Sequence, residues 1–240
     1  MNLCYKTYRI SYNYIFNNSK DTVLFLHGWG GNMNSFAFLF PYLKQYNILT
    51  ISFPPYFTDK NYQDSIIPLT LEDYQKIIVN LLTLHNIKSF HIICHSFGFR
   101  LALLITSCNY KIKSIIVTGG AGISLNNFIF NINRNSKILY NKKFKLINHK
   151  SDYAQLKKID KLTFQNVIKV NLIKYLHFIK CPVYLFWGRK DKDTKPAICN
   201  MIKKQLKKVE FDFVNSGHFA YLDFRNMFSK KVLKFLKENV

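Results

Sequence analysis

The sequence predicts an α/β protein with a mostly parallel, doubly wound sheet. Short apolar runs typical of buried strands alternate with helical patterns along most of the 240 residues. A chain of this length can bury one sizeable core. A hydrophobic content of 48%, with 16% aromatic residues, argues against disorder. We therefore expect a single α/β domain over residues 1–240, with a helical insertion at residues about 120–180.

The order of elements supports this fold class. Residues 5–16 alternate polar with aromatic or apolar side chains, which indicates one or two antiparallel strands at a sheet edge. Buried strands are expected at 22–26, 47–53, 90–94, 112–117, 182–187 and 209–214. Helices are expected at 34–46, where Pro41 predicts a kink or a late start, and at 70–85, 97–107, 196–207 and 225–237. Thr70 and Asp73 form a capping-box pattern at the start of the second helix.

The segment of residues about 120–180 interrupts the alternation. It is rich in Asn and Lys, with short amphipathic stretches at 152–159 and 162–176. We interpret it as a helical insertion above the sheet, which serves either as a lid over a pocket or as a structural cap.

The cysteine content and the net charge limit the classes of function that the sequence allows. The five cysteines are scattered without metal-ligand spacing or a disulfide framework, which favours buried reduced thiols. The net charge of +22 is spread along the chain rather than gathered in one block. This favours a generally basic, solvated surface over a specific nucleic-acid partner, with a mild preference for anionic substrates or surfaces as the remaining alternative.

Membrane and secretory signals are weak. No apolar run reaches the length of a membrane span, and the N-terminus lacks the apolar core of a signal peptide. We expect a cytoplasmic protein.

The stretch Phe90–Arg100 is the centre of the functional prediction. Ser96 lies between a strand pattern and a helix pattern, with Cys94 two residues before it and Gly98 two residues after it. Small residues at these positions let a strand and a helix pass close together at a sharp turn, which exposes the serine hydroxyl as in a nucleophile elbow. Cys94 departs from the usual glycine. An ordinary strand-helix turn is the alternative interpretation.

A glycine-rich loop, His27–Gly31, follows the strand at 22–26. It lacks the spacing of a dinucleotide-binding loop and the ending of a P-loop. It could present a backbone N–H to a developing oxyanion, or it could be only a tight turn. His27 itself is interpreted as a hydrogen-bonding residue that organises the loop.

Two more loops carry groups suited to catalysis. Asp191 and Asp193 follow the strand at 182–187, and His218 follows the strand at 209–214. In an open parallel sheet the loops after the strands gather at one edge. A serine, an acid and a histidine that are distant in sequence can therefore meet there, in the chain order Ser, Asp, His.

Together these segments resemble the successive motifs of the α/β-hydrolase superfamily. They are His27-Gly-Trp-Gly, Cys94-His-Ser-Phe-Gly98, Trp187-Gly-Arg-Lys-Asp191 and Gly217-His218-Phe. The resemblance implies Ser96 as nucleophile, His218 as general base and Asp191 as the acid that orients it. It also implies an oxyanion hole formed by the backbone N–H groups of Trp29 and Phe97, with no cofactor and no metal.

The expected activity is that of a serine esterase, which cleaves a small or medium acyl substrate through an acyl-enzyme. A thioesterase, a carbon–carbon bond hydrolase and a peptidase remain alternatives on the same triad, as does a hydrolase-like binding protein without turnover. Asp193 is an alternative to Asp191, and Asp212 a more distant one. The sequence does not predict the oligomeric state.

Overall fold

Residues 1–54, 67–124 and 158–239 are described in the computed structural model. Their strands are β1 (Asn2–Tyr5), β2 (Tyr8–Ile15), β3 (Thr22–Leu26), β4 (Asn47–Ile51), β5 (Ser89–His95), β6 (Lys111–Thr118), β7 (Val183–Gly188) and β8 (Val209–Val214). These strands form one eight-stranded sheet in the order β1-β2-β4-β3-β5-β6-β7-β8. The pairs β1–β2 and β2–β4 are antiparallel, and all other neighbours are parallel. The predicted mostly parallel sheet with an antiparallel edge is confirmed.

Helices cover both faces of the sheet. They are α1 (Leu71–Leu84), α2 (Phe97–Ile105), α3 (Lys158–Ile168), α4 (Pro196–Gln205), α5 (Ala220–Asp223) and α6 (Arg225–Glu238). One apolar cluster joins α1, α2 and α4 to one face, and a second joins α6 to the other. The sheet is therefore doubly wound, as predicted. None of the helices in the described ranges combines the length and apolarity needed to cross a bilayer.

Local capping chemistry explains where α1 begins. The side chain of Thr70 accepts a hydrogen bond from the backbone N–H of Asp73, and the carboxylate of Asp73 accepts one from the backbone N–H of Thr70. This is the capping box that the sequence predicts. Buried α1 residues such as Tyr74, Ile77 and Ile78 then pack on the sheet.

The prediction of an α-helix at 34–46 is wrong. The chain forms only a short 3-10 helix there, Ala37–Tyr42, with Pro41 inside it. Proline has no N–H to continue an α-helical ladder and its ring clashes with the preceding turn, so the α-helix does not form. The following strand is also shorter than predicted, since β4 ends at Ile51.

The insertion between β6 and β7 is helical where it is described. Helix α3 ends at Ile168, and a 3-10 helix follows at Ile173–Phe178. The single amphipathic stretch predicted at 162–176 is therefore divided into two elements. Most of the stretch predicted at 152–159 lies outside the described residues.

His91 is a fully buried titratable residue of β5. Its Nδ1 lies 2.8 Å from the hydroxyl of Ser114, while its Nε2 has no partner in the described chain. Burial lowers the pKa of His91 to about 4, against an opposing effect of the nearby Asp21 charge. The imidazole is therefore neutral in the folded protein at neutral pH.

This burial predicts how stability depends on pH. The folded pKa of His91 lies below the unfolded value, so the unfolded chain binds one more proton between about pH 6.5 and the folded pKa. The free energy of unfolding contributed by His91 is present above this window. It is lost as pH falls, at up to about 1.4 kcal/mol per pH unit. We expect His91→Asn to flatten the pH dependence of the urea midpoint across this window; parallel curves for both proteins would contradict the prediction.

The loop after β8, which carries His218, packs so closely against Gly188 that position 188 has no room for a side chain. A Cβ at Gly188 would lie 2.0 Å from the carbonyl oxygen of Gly217, whereas a Cβ at Gly217 would meet nothing within 4 Å. We expect Gly188→Ala to destabilise the fold by about 1–3 kcal/mol or more, because the loop must move. Gly217→Ala is the matched control and should change the melting temperature little. Equal melting temperatures for the two variants would refute the predicted contact.

Candidate active site

Ser96 sits at the junction of β5 and α2 in a conformation that few residues adopt. Its φ is +48° and its ψ is −112°, and its hydroxyl does not cap the helix. Its backbone N–H donates to the carbonyl of Thr118 at 3.1 Å, and its carbonyl accepts from Phe99 and Ala121, each at 3.0 Å. A strained conformation of this kind costs roughly 1–3 kcal/mol and persists only where the surroundings enforce it. These bonds enforce it, and they leave the half-buried hydroxyl available for chemistry.

Small residues on either side make the turn possible. A Cβ at Gly98 would lie 2.0 Å from the carbonyl oxygen of Leu26, so only glycine fits. Cys94, the departure from the usual glycine, remains in register with Leu26 on β3 and Val117 on β6. Burial raises the pKa of the Cys94 thiol well above its usual value, so the thiol is neutral. Cys94 is thus accommodated in regular pairing; the one register shift between β5 and β6 lies earlier, between Phe90 and His91.

His218 and Asp191 are joined directly. Nδ1 of His218 lies 2.9 Å from Oδ2 of Asp191, whose side chain is fully buried. Asp191 also accepts hydrogen bonds from the backbone N–H groups of Asp193 and Thr194 and from the Thr194 hydroxyl. Burial by itself raises the pKa of the Asp191 carboxyl, but the hydrogen bond and charge of His218 and the bonds from Thr194 outweigh it, and the net shift is downward. Asp191 is therefore a carboxylate at neutral pH.

The rival carboxylates have other surroundings. Asp193 is exposed; its backbone N–H donates to Oδ1 of Asp191, and its carboxylate lies within 4.8 Å of the ligand atoms of Asp191 and His218. Asp212 accepts a hydrogen bond from the Tyr184 hydroxyl and pairs with Lys231. Of these three acids, the structure brings Asp191 to the imidazole.

Ser96 and His218 approach the same short segment at the end of β6. Thr118 accepts the N–H of Ser96, and the next residue, Gly119, lies so close to His218 that a Cβ there would be 3.0 Å from Nδ1. The ring of His95, which precedes Ser96, lies 4.7 Å from the ring of His218. The loops that carry Ser96 and the hydrogen-bonded His218–Asp191 pair therefore lie at the same edge of the sheet, at the carboxyl ends of β5, β7 and β8.

The glycine-rich loop after β3 passes against the elbow. A Cβ at Gly28 would lie 3.5 Å from Cβ of Ser96. Next to this contact is Trp29, whose backbone N–H, like that of Phe97, has no acceptor in the described parts of the chain. The loop thus brings Trp29 close to the serine, and Phe97 follows Ser96 directly as the first residue of α2.

His27 and His95 organise the backbone around the serine. Nε2 of His27 accepts the N–H of Phe53 at 2.9 Å, so Nδ1 carries the proton and donates to the carbonyl of Gly28. Nδ1 of His95 bonds the carbonyl of Thr118 at 2.9 Å. Burial lowers the pKa of His27 to about 4 and that of His95 to about 3. Both imidazoles are therefore neutral scaffold groups, as expected for His27.

Aromatic rings pack around Phe97, which follows the serine, and around His218. The ring of Trp29 lies 5.3 Å from that of Phe97 and 5.0 Å from that of Phe164 on α3. Phe219, 52% exposed, packs edge-on against His218 at 5.4 Å. Phe164 and Thr194 are absent from the sequence prediction, because neither lies in a recognisable motif and each is identified only by its tertiary contacts.

One group of side chains in the described residues could hold a metal ion. Ligand atoms of Asp191, Asp193 and His218 lie within 4.8 Å of one another. A cation there would have to displace the hydrogen bonds that Asp191 accepts from His218 and Thr194. The donor set is better matched to a hydrogen-bonded acid–imidazole pair than to a metal.

Solved structures share this fold across nearly the whole chain. A serine hydrolase from the bacterium Cycloclasticus zankles has a TM-score of 0.74 at 15% identity, covering 99% of this chain and 97% of that one. An esterase from Exiguobacterium antarcticum has a TM-score of 0.71 at 16% identity, covering 95% and 96%. A meta-cleavage product hydrolase from Pseudomonas fluorescens has a TM-score of 0.68 at 14% identity, covering 96% and 94%.

Sequence comparison adds the family. No curated protein matches the chain significantly. The profile of the alpha/beta hydrolase fold family matches residues 21–142, which is just over half of the 240 residues and includes the His27 loop and the Ser96 elbow. With the sheet order and the elbow described above, this match shows that the chain belongs to the alpha/beta hydrolase fold family.

Proposed function

We propose that this α/β hydrolase is a serine hydrolase that cleaves a small or medium acyl substrate, most simply a carboxylic ester, through an acyl-enzyme. The observation that carries the proposal is the hydrogen bond between His218 Nδ1 and the buried carboxylate of Asp191. Because Nδ1 donates its proton to Asp191, Nε2 holds the free lone pair. Nε2 is then the atom that takes a proton from the Ser96 hydroxyl.

The chemistry follows from this tautomer. A serine hydroxyl is a weak nucleophile at neutral pH and needs an adjacent base. Ser96 Oγ attacks the ester carbonyl while His218 accepts its proton, and the imidazolium then protonates the leaving alcohol. Water, deprotonated by the same imidazole, hydrolyses the acyl-enzyme and restores Ser96. Asp191 orients His218 and stabilises its cationic form throughout.

The backbone N–H groups of Trp29 and Phe97 would stabilise the tetrahedral oxyanion. Each aimed donor in such a hole is worth roughly 3–4 kcal/mol in the transition state. Phe97 opens α2, so its N–H is one of the first-turn donors that have no partner within the helix. The positive end of the helix dipole lies at the same point and also favours the developing negative charge.

The nucleophile is tested by a chromogenic short-chain ester assay and by labelling with a fluorophosphonate. We expect Ser96→Ala to lower the esterase rate by at least about 1,000-fold and to abolish labelling, because the covalent step requires Oγ. Ser107→Ala, at an exposed serine beyond the end of α2, is the control and should retain both. Equal rates for Ser96→Ala and the unchanged protein would exclude the mechanism. Labelling without turnover of any ester would point to a thioester, carbon–carbon or peptide substrate, which a substrate panel separates.

The acid is tested by paired carboxylate substitutions. We expect Asp191→Asn to lower kcat by about 10⁴-fold, because an amide no longer fixes the tautomer of His218. Asp193→Asn removes a carboxylate within 4.8 Å of Asp191 and His218 but keeps the backbone N–H that Asp193 donates to Asp191, and we expect a change of less than about tenfold. Circular dichroism checks that both variants fold. The assignment fails if Asp193→Asn is the more damaging substitution.

A further inference from the structure

Arg100 is a buried cation that the proposed mechanism does not use. It lies on α2, four residues after Ser96, and is 9% exposed. Buried arginines are normally paired with carboxylates. In the described ranges no carboxylate contacts Arg100; its guanidinium binds backbone carbonyls instead. Nη1 donates to Val167 at 3.0 Å and Val170 at 2.8 Å, and Nη2 donates to Ile168 at 3.3 Å.

These carbonyls belong to the carboxyl end of α3 and the residues just beyond it. The last carbonyls of a helix have no partner within the helix and carry partial negative charge. A planar guanidinium with several donors can bind more than one of them at once, which an ammonium group does less well. Arg100 therefore fastens the end of the insertion helix to the helix that begins at the serine.

The other contacts of α3 define what this attachment holds in place. Oγ1 of Thr163 accepts the backbone N–H of Leu69 at 3.0 Å. The neighbouring Phe164 places its ring 5.0 Å from the ring of Trp29. Trp29 in turn packs edge-on against Phe97 at 5.3 Å. Through Phe164, α3 thus packs against Trp29, and Trp29 packs against Phe97. The backbone N–H groups of Trp29 and Phe97 form the oxyanion hole of the proposed function.

We propose that Arg100 is a positioning residue: by holding the end of α3, it keeps Phe164 against Trp29 and so fixes an aromatic wall that selects apolar acyl groups. The selectivity part of this proposal rests on the proposed function. Arg100 touches no reacting atom and acts through α3. Since the wall consists of the rings of Trp29, Phe97 and Phe164, its loosening affects a long acyl chain more than an acetyl group.

Tryptophan fluorescence tests the attachment without any substrate. The chain has two tryptophans, of which Trp187 is fully buried and Trp29 is half-buried, so acrylamide quenching reports Trp29. We expect Arg100→Met to raise the quenching constant about twofold, because Phe164 no longer covers Trp29, and Arg100→Lys to rescue part of this change. Arg225→Met, at an exposed arginine of α6, is the control and leaves quenching unchanged. Unchanged quenching in both Arg100 variants overturns the proposal.

Kinetics test the selectivity with p-nitrophenyl esters from acetate to decanoate. We expect Arg100→Met to raise KM about five- to tenfold for the long esters, with kcat for acetate within about threefold. Phe164→Ala should give the same profile, and adding Arg100→Met to it should change KM less than twofold, because both substitutions remove the same wall. A uniform loss across all esters, or independent additive effects, indicates a merely structural arginine and overturns the proposal.

The outcomes separate this proposal from the proposed function. Absence of fluorophosphonate labelling at Ser96 would sink the serine mechanism, while the quenching experiment would still decide whether Arg100 positions α3. If Arg100→Met does not fold, Arg100→Lys and Phe164→Ala carry both measurements: a profile in Phe164→Ala identical to that of the unchanged protein contradicts the aromatic wall.

Discussion

The strained backbone of Ser96 is the constraint on which the rest of the site depends. Its φ of +48° exists because three strands are fixed relative to one another. β6 supplies the carbonyl of Thr118 that accepts its N–H, and β3 supplies the Leu26 carbonyl against which only a glycine at position 98 fits. The core that holds β3, β5 and β6 together is therefore part of the proposed catalytic machinery.

The gathering of the loops after β5, β7 and β8 at one edge was predictable because it follows from topology. Parallel strands end at one edge, so loops after β5, β7 and β8 had to be neighbours once the alternating pattern was recognised. The chain order of Ser96, Asp191 and His218 then identified the candidate groups. The preference for Asp191 over Asp193 needed the spacing of a motif. In the structure, the buried carboxylate of Asp191 accepts three hydrogen bonds besides that of His218, and these bonds fix its position and orientation.

What the sequence did not give is set by contacts between segments with no pattern of their own. The 3-10 helix at Ala37–Tyr42 has apolar spacing that also suits an α-helix, and only the effect of Pro41 on the backbone ladder decides between them. In the sequence, Arg100 is recognisable only as a charged residue that interrupts an apolar run. Its role depends on the carbonyls at the end of a helix that lies 67–70 residues further along the chain. Long-range contacts to backbone atoms leave no trace in periodicity, since any residue type supplies a carbonyl.

The net charge of +22 affects the candidate site in a different way from the buried groups of that site. Arg189 and Lys190, on the loop that carries Asp191, are exposed to solvent. At physiological ionic strength their fields are screened over about 8 Å. The partner of Asp191 lies at 2.9 Å and is shielded from water, so its interaction is screened far less. The buried contacts therefore hold Asp191 as a carboxylate, and the exposed lysines and arginines act on how fast an anionic molecule approaches. A basic surface and the proposed aromatic wall are then compatible, because surface charge would govern encounter and the wall would govern which acyl group remains.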